Sequence, residues 1–295
     1  MSTAGLRVRK RKNAVIYILL VFGSLVVLLP FFYLILTSFK SIQESYGSVV
    51  SFFPAQNRLV ENISFVTGHQ DYTFWRFFLN TMLVFILKTA GALFTCSIAG
   101  YAFAKFDCLL SRIVFSLLLC VLFVPGELLG IPFYEAMVNL GLRYSSLYVP
   151  MWIGAWFGID VTIIFLFRQF FKSVPDTLIE AARIDGAGEY KTFLKIVLPQ
   201  AKPVIATVII LYFIGTYNDI YSATLYIPVN EKSRWVMAQS VAIFESMFNT
   251  GSGDYMIPYN YVSVATVLSI FPMLLFFFSA QKNFVESLTN SGLKG

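Results

Sequence analysis

Six apolar runs, each long enough to cross a bilayer, constrain the fold of this chain more than any other feature. A membrane-spanning helix needs about 20 predominantly apolar residues, and the runs that meet this length are Ala14–Phe39, Phe77–Phe103, Ile113–Val138, Leu147–Phe167, Val204–Tyr226 and Asn260–Ala280. Charged residues make up 13% of the chain, against about 25% in soluble domains. Because lipid offers no partners to the backbone, such runs span as helices. The sequence therefore predicts an all-α polytopic membrane protein with six transmembrane helices.

The distribution of positive charge predicts how these helices are oriented. Basic residues that include Arg7, Lys10 and Lys12 precede the first apolar run, which is too long for a cleaved signal peptide. With both termini in the cytoplasm, fifteen of the 22 Lys and Arg residues fall on the cytoplasmic side and six on the outer side. This asymmetry follows the positive-inside rule. We therefore expect cytoplasmic termini, and we attribute the formal charge of +6 to topology and not to nucleic-acid binding.

The connections between the runs are unequal and divide the chain into recognisable parts. The expected parts are a basic cytoplasmic tail over 1–13, a first transmembrane helix over 14–39, an outer loop over 40–76, a core of five transmembrane helices over 77–281 and a cytoplasmic tail over 282–295. Within the core, the connection over 168–203 is by far the longest on the cytoplasmic side.

Patterns typical of catalytic, metal and nucleotide sites are missing from the sequence. His69 is the one histidine, and Cys96, Cys108 and Cys120 form no CxxC pair, so neither a disulfide framework nor a zinc site is indicated. Gly186-Ala187-Gly188 lacks the third glycine of a dinucleotide loop, and the P-loop pattern GxxxxGK[ST] does not occur. We predict no catalytic residue, no metal site and no cofactor in this chain.

The long cytoplasmic connection combines charge with helical patterning. Pro175 and Asp176 suit the first turn of a helix, and Gly186 suits its end. A second amphipathic stretch runs from Tyr190 to Pro199. The sequence predicts two short helices at the inner face of the membrane, separated by a glycine-containing turn.

The spacing of residues in this connection forms a known motif. Glu180-Ala181-Ala182, Gly186 and Ile196-x-Leu198-Pro199 give the pattern EAA-x3-G-x9-I-x-LP. It resembles the cytoplasmic loop of permease subunits in binding-protein-dependent ABC importers. The segments FFLNTMLV, SIAGYAFAKF, IPFYEAMVNLGL and YND occur in the same order as in the carbohydrate-uptake branch, the maltose-type inner-membrane permeases. The resemblance covers nearly the whole chain.

The resemblance implies a type I ABC importer permease in a bacterial plasma (inner) membrane. In that family the loop forms coupling helices that dock on the ATP-hydrolysing subunit, which implies coupling roles for Glu180, Ala181, Ala182, Asp185, Gly186, Leu198 and Pro199. The partners it implies are a second homologous permease, two cytoplasmic ATP-binding subunits and an extracytoplasmic solute-binding protein. ATP and Mg²⁺ are then expected in the partner ATPase, and this chain is not expected to be an enzyme.

Ionisable and aromatic residues inside the spans are candidates for the substrate path, because charges in the bilayer are expensive and often functional. The candidates are Lys88, Glu127, Tyr134, Tyr217, Asn218 and Asp219. The charges also allow two arrangements without a substrate: Lys88 pairs with Glu127, or Asp160 and Asp219 lie at water-exposed ends of their spans. Tyr217 stands where the resembled family usually has Trp.

The resemblance implies transport of a sugar or oligosaccharide driven by ATP. A non-carbohydrate solute such as a glycerol phosphate ester is an alternative within the same family. A secondary transporter or channel that uses an ion gradient would also have six spans and intramembrane charges, but it would not explain the EAA loop, and we find no internal repeat of the kind many such proteins contain.

Overall fold

The computed structural model describes the backbone over residues 3–46, 51–245 and 257–292. Side chains are described over the same ranges except 3–12, 14, 15, 46, 127, 245 and 280–292. Every regular element in these ranges is helical, which confirms the all-α prediction. The basic side chains of the tail over 1–13 and the side chains of the tail over 282–295 lie outside the described residues, as does the side chain of Glu127.

The α-helices in the described ranges are α1 Thr3–Thr37, α2 Ile42–Tyr46, α3 Leu59–Gly68, α4 Phe74–Lys105, α5 Leu109–Val121, α6 Gly126–Asn139, α7 Val149–Trp152, α8 Val161–Ser173, α9 Asp176–Ile184, α10 Glu189–Thr192, α11 Lys202–Tyr217, α12 Ile220–Tyr226, α13 Ala242–Glu245 and α14 Tyr259–Gly292. A π-helical turn covers Phe193–Val197, and 3₁₀ turns cover Ile153–Phe157, Leu198–Ala201, Lys232–Arg234 and Met237–Gln239. Among the described residues, five segments are long and apolar enough to cross a membrane, namely Ile16–Thr37, Phe74–Lys105, Val149–Ser173, Glu189–Tyr217 and Tyr259–Ser279.

The third predicted span, Ile113–Val138, is not one continuous helix. Helix α5 ends at Val121 and α6 begins at Gly126, directly after Pro125. Proline has no backbone N–H to donate, and its ring collides with the preceding turn of a helix. One helix therefore ends before Pro125 and a new one begins after it. The predicted span therefore corresponds to two shorter helices, of which α5 is apolar.

The fifth predicted span, Val204–Tyr226, also differs from the structure at both ends. The helical stretch begins earlier, at Glu189, and passes through Pro199 in a 3₁₀ turn. At its other end α11 stops at Tyr217 and α12 begins at Ile220. The side chain of Asp219 accepts a hydrogen bond from the backbone N–H of Ser222 and so caps α12.

The described residues form two compact units, and the first comprises residues 1–72 and 241–270. A buried amide organises it: Nδ2 of Asn62 donates to the carbonyl oxygens of Ser38 at 2.8 Å and Lys40 at 2.9 Å. Nδ2 of Asn260 in turn donates to Oδ1 of Asn62 at 3.2 Å. Because buried polar groups are costly without partners, these bonds fix the end of α1 against α3 and α14.

The second unit comprises residues 73–240 and 271–295, and its core is the contact between α4 and α8. Gly100 permits this contact, since a Cβ there would lie 2.6 Å from Cβ of Phe167 and 3.0 Å from the backbone nitrogen of Arg168. Small residues allow membrane helices to approach closely in this way. Oγ1 of Thr95 also donates to the carbonyl of Ala155 at 2.8 Å. This unit carries both candidate sites.

We expect Gly100→Val to destabilise the protein, because its side chain would force α4 away from α8. Overpacking of this kind costs about 1–3 kcal/mol, and it would lower the thermal unfolding midpoint of the purified protein. Gly215→Val is the matched control, since nothing lies within 4 Å of a Cβ at that helical position. An equal loss of thermal stability in both variants would contradict close packing at Gly100.

Candidate functional site

Helix α9 ends in a glycine-dependent turn that separates it from α10. Gly186 has a φ of +80°, a left-handed conformation that residues with a side chain rarely adopt. Its N–H donates to the carbonyl of Arg183 at 3.0 Å, and the N–H of Ala187 donates to that of Ala182 at 2.9 Å. This is the Schellman arrangement of hydrogen bonds at a helix C-terminus. The turn therefore fixes the boundary between α9 and α10, as the sequence predicts.

The second helix of the pair is not a separate element. Helix α10 leads through the π-helical and 3₁₀ turns into α11 without a loop, so Glu189–Tyr217 is one helical stretch. Within it, Leu198 packs against the hydrophobic core and Pro199 is exposed. A displacement of α10 would therefore act directly on a helix long enough to cross the membrane.

Helix α9 has two apolar sides, which the sequence pattern alone does not separate. Ile179 and Ala182 are buried against this chain. Leu178, Ala181 and Ile184 lie on a different side and are exposed, with Ile184 87% exposed. Ala182 thus helps to seat α9 on its own subunit, whereas Ala181 is accessible to a partner.

An exposed surface surrounds the first residues of the EAA motif, and we call it the coupling surface. It consists of Glu180, Ala181, Ile184 and Asp185, all exposed on α9 and its C-terminal cap. Ile184 is not among the residues predicted from the motif. Large apolar side chains exposed beside charged ones are typical of a protein-binding surface. The sequence pattern does not single out Ile184, because it places this residue in one apolar set with Leu178, Ala181 and Ala182.

Lys105, the last residue of α4, ties that helix to the start of α9. Its Nζ donates to the carbonyl of Val174 at 2.7 Å and to Oδ1 of Asp176 at 2.7 Å, and its side chain is 8% exposed. The hydrogen bond and the positive charge of Lys105 hold the pKa of the Asp176 carboxyl below its usual range. A carboxyl with a lowered pKa stabilises the fold above its ordinary pKa, about 4, and loses that effect as pH falls through the lowered value. The ion pair between Lys105 and Asp176 is therefore fully formed at neutral pH.

A second set of bonds joins α9 to α10 across the Gly186 turn. Nε of Arg183 donates to Oε1 of Glu189 at 2.7 Å, and the hydroxyl of Tyr101 donates to Oε2 of Glu189 at 3.4 Å. The exposed pair alone contributes little to stability. Because Tyr101 belongs to α4, these bonds nevertheless connect both helices of the loop to the same long helix.

The intramembrane charges form a cluster at the breaks in the spans. Nζ of Lys88 lies 3.7 Å from Oδ2 of Asp219. Asp160 accepts a hydrogen bond from the N–H of Ile163 at 3.3 Å, which caps α8, and another from the hydroxyl of Tyr212 at 3.0 Å. Lys88 thus has Asp219 as an ionic partner, and the alternative pairing with Glu127 falls on a side chain outside the described residues.

The remaining predicted path residues differ in what they offer a ligand. Tyr217 is buried with its ring 5.4 Å from that of Phe213, so its face is not open to a sugar. Asn218 is exposed, although its Nδ2 donates to the carbonyl of Ile214 at 2.9 Å. Tyr134 is half-buried, and its ring lies 6.0 Å from that of Tyr226. The structure brings together Lys88 and Asp219 and adds Asp160, Tyr212 and Thr216, which line the same pocket as Lys88.

The part of the chain that the structure describes contains no cluster of metal-ligating side chains. No group of three or more His, Cys, Asp or Glu side chains there is arranged to hold a metal ion. The two candidate sites therefore offer hydrogen bonds, charge and apolar surface for binding.

Residues 91–290 match the family model described as binding-protein-dependent transport system inner membrane component. The chain belongs to this family. It is a multi-pass inner-membrane component whose role is transport and not catalysis, and the match includes the coupling surface and most of the second unit.

Individual relatives support the same assignment over almost the full length. The sn-glycerol-3-phosphate transport system permease protein UgpE of Yersinia pestis is 30% identical over 282 residues, covering 93% of this chain and 95% of the relative. The diacetylchitobiose uptake system permease protein NgcG of Streptomyces coelicolor is 29% identical, covering 95% of this chain and 88% of the relative. A chain in the crystal structure of a bacterial ABC transporter involved in the import of the acidic polysaccharide alginate superposes with a TM-score of 0.74 at 24% identity, covering 96% of this chain and 98% of that one. This confirms the type I permease fold.

We expect Lys105→Met to loosen α9 without unfolding the rest of the protein. Loss of hydrogen bonds made by a charged group costs about 1.5–3 kcal/mol, so the backbone amides of α9 should exchange with deuterium at least about tenfold faster. The exposed Lys172→Met is the matched control on the same rim of the protein. Unchanged exchange in α9 would show that Lys105 does not hold it.

Proposed function

We propose that this chain is one of two permease subunits of an ATP-driven ABC importer in a bacterial inner membrane. With a second, homologous permease it forms the path for a sugar or oligosaccharide that an extracytoplasmic binding protein delivers. Family membership supports the importer, and the diacetylchitobiose and alginate systems among its relatives support a carbohydrate.

The main support for a role in coupling is the exposed apolar and charged area of the coupling surface. Ile184 exposes apolar area one helical turn from Glu180, on a loop held to α4 by Lys105. A hydrophobic anchor beside a charge suits docking in a groove that carries a basic group. We infer that a cytoplasmic ATP-binding subunit occupies this surface, with a second copy on the partner permease.

The mechanism that follows is gating by a shift between conformations. ATP and Mg²⁺ bind in the ATPase subunits, and closure of their dimer pulls the two coupling surfaces together. Because α10 continues into α11, that movement reaches the span that ends at Tyr217. The bundle then exposes its path to the binding protein, and ATP hydrolysis reverses the shift. Both termini lie in the cytoplasm in this arrangement, on the same side as the coupling surface.

Import of a glycerol phosphate ester is the second candidate within this family. It is favoured by the similarity to sn-glycerol-3-phosphate permease proteins, which match as well as the carbohydrate relatives do. The coupling surface would work identically in both cases, since it does not contact the solute.

We expect Ile184→Asp and Glu180→Lys each to abolish stable association with the ATPase. Loss of an interface anchor of about 2 kcal/mol corresponds to an affinity about thirtyfold weaker. The measurement is co-purification of the ATPase from membranes, together with ATP-driven uptake into vesicles. Glu61→Lys, an equal charge reversal on the exposed surface of α3, is the control and should retain both.

A different result would point to another class of protein. Solute accumulation in vesicles that contain this chain alone and no ATP would indicate a secondary transporter. Association with the ATPase that survives both substitutions would place the docking surface elsewhere.

A further inference from the structure

A pocket of about 270 Å³ lies beside the intramembrane charge cluster of the second unit. Its lining includes Lys88 from α4, Asp160 at the start of α8, and Tyr212, Gly215 and Thr216 from α11. Ligand pockets are usually about 300–1,000 Å³, so this one is of a size for a single small unit of a larger solute. It lies beside the start of α8, which is inside the span Val149–Ser173, and the end of α11; interrupted membrane helices commonly form solute paths.

The positive charge in this pocket is already neutralised by the protein. Lys88 has Asp219 at 3.7 Å, while Asp160 adds a second carboxylate. The cluster of one ammonium and two carboxylates thus has a formal charge of −1. A phosphate or carboxylate entering the pocket would meet net repulsion and would have to compete with Asp219 for the ammonium of Lys88.

The helix N-termini at the two breaks are likewise occupied. Such N-termini bind anions through free N–H groups. Here Asp160 accepts the N–H of Ile163 at 3.3 Å and Asp219 accepts the N–H of Ser222 at 2.9 Å. The protein's own carboxylates therefore hold the positions from which a substrate anion would be bound.

The remaining polar groups suit hydroxyls. Thr216 is 3% exposed, and its Oγ1 has no hydrogen-bond partner among the described residues although it is buried. A buried hydroxyl without a partner is costly; Thr216 lines the pocket, and a ligand hydroxyl that reached Oγ1 would satisfy it. Asp160 has acceptor capacity beyond its bonds from Ile163 and Tyr212, because a carboxylate can accept about four hydrogen bonds.

We propose that this pocket binds a neutral, hydroxyl-rich unit of the transported solute and rejects phosphate and uronate groups. The inference rests on the proposed function, and it makes a neutral glycan the substrate class. It separates this chain from the glycerol phosphate and acidic polysaccharide systems to which it is similar. Lys88 and Asp219 then act together, since Asp219 prevents the ammonium from recruiting an anion.

A thiol placed at Gly215 would report on occupancy of the pocket. A Cβ at this position meets nothing within 4 Å, and the residue lines the pocket. The reporter is Gly215→Cys in the full assembly of permeases and ATPase in nanodiscs, with the exposed Cys108 and Cys120 replaced by Ser. The rate of labelling by a small methanethiosulfonate is measured with diacetylchitobiose, with a disaccharide of uronic acids and with sn-glycerol 3-phosphate. Gly188→Cys on the cytoplasmic loop is the control reporter.

We expect diacetylchitobiose to slow labelling at position 215 at least fivefold and to leave position 188 unchanged. The two anions should have no effect at either position. Thr216→Val, which removes the unpartnered hydroxyl at nearly constant shape, should weaken protection by diacetylchitobiose about tenfold. Asp219→Asn should free the ammonium and allow the uronate disaccharide to protect, and adding Lys88→Gln should remove that gain.

Two results would overturn the proposal. One is protection by either anion in the reporter background that equals or exceeds protection by diacetylchitobiose. The other is the lack of protection by all three probes in an assembly that still binds the ATPase and hydrolyses ATP, which would reject the pocket as a ligand site and leave the importer intact. Failure of the chain to associate with an ATPase would instead reject the proposed function.

Discussion

Backbone amides and carbonyls in the hydrocarbon core of a bilayer must find partners within the protein, and this requirement determines where the chain can break its helices. In the second unit, helices begin anew where side chains accept hydrogen bonds from the backbone N–H groups that a helix start leaves free. Asp160 caps α8 and Asp219 caps α12, in each case by accepting a backbone N–H. Each cap therefore leaves a carboxylate that is only partly exposed, and such a carboxylate needs a counter-charge or donors. Lys88 and the hydroxyl of Tyr212 supply them.

Helix α4 connects this polar cluster to the cytoplasmic surface. Lys88 and Lys105 lie on the same uninterrupted helix, 17 residues apart, which corresponds to about 26 Å at 1.5 Å per residue. One end contacts Asp219, and the other holds Val174 and Asp176 at the start of α9. The close approach at Gly100 also packs α4 on α8, which carries Asp160 at its N-terminus. A movement of α9 would therefore act on α4, a continuous helix that also lines the pocket through Lys88.

The sequence predicted the features that depend on local composition. Apolar length identified membrane helices, and Gly186 marked the end of α9 because only a residue without a side chain takes its conformation readily. Contacts between distant segments were not predictable in this way: the partner of Lys88 is 131 residues away, and nothing in the intervening sequence favours Asp219 over Glu127. The two apolar sides of α9 were also inseparable by pattern, because Ala181 and Ala182 are equally apolar and only packing decides which one is buried.

The charge of the pocket follows from the same requirement that shapes the spans. A helix broken inside the membrane leaves N–H groups that either bind an anionic solute or are capped by the protein. In this chain aspartates cap both breaks, so the positions that would attract an anion are filled before any solute arrives. Lys88 balances one carboxylate, so the cluster has no net positive charge to offer an anion. What stays available in the pocket is carboxylate oxygen of Asp160, which complements the hydroxyls of a neutral sugar.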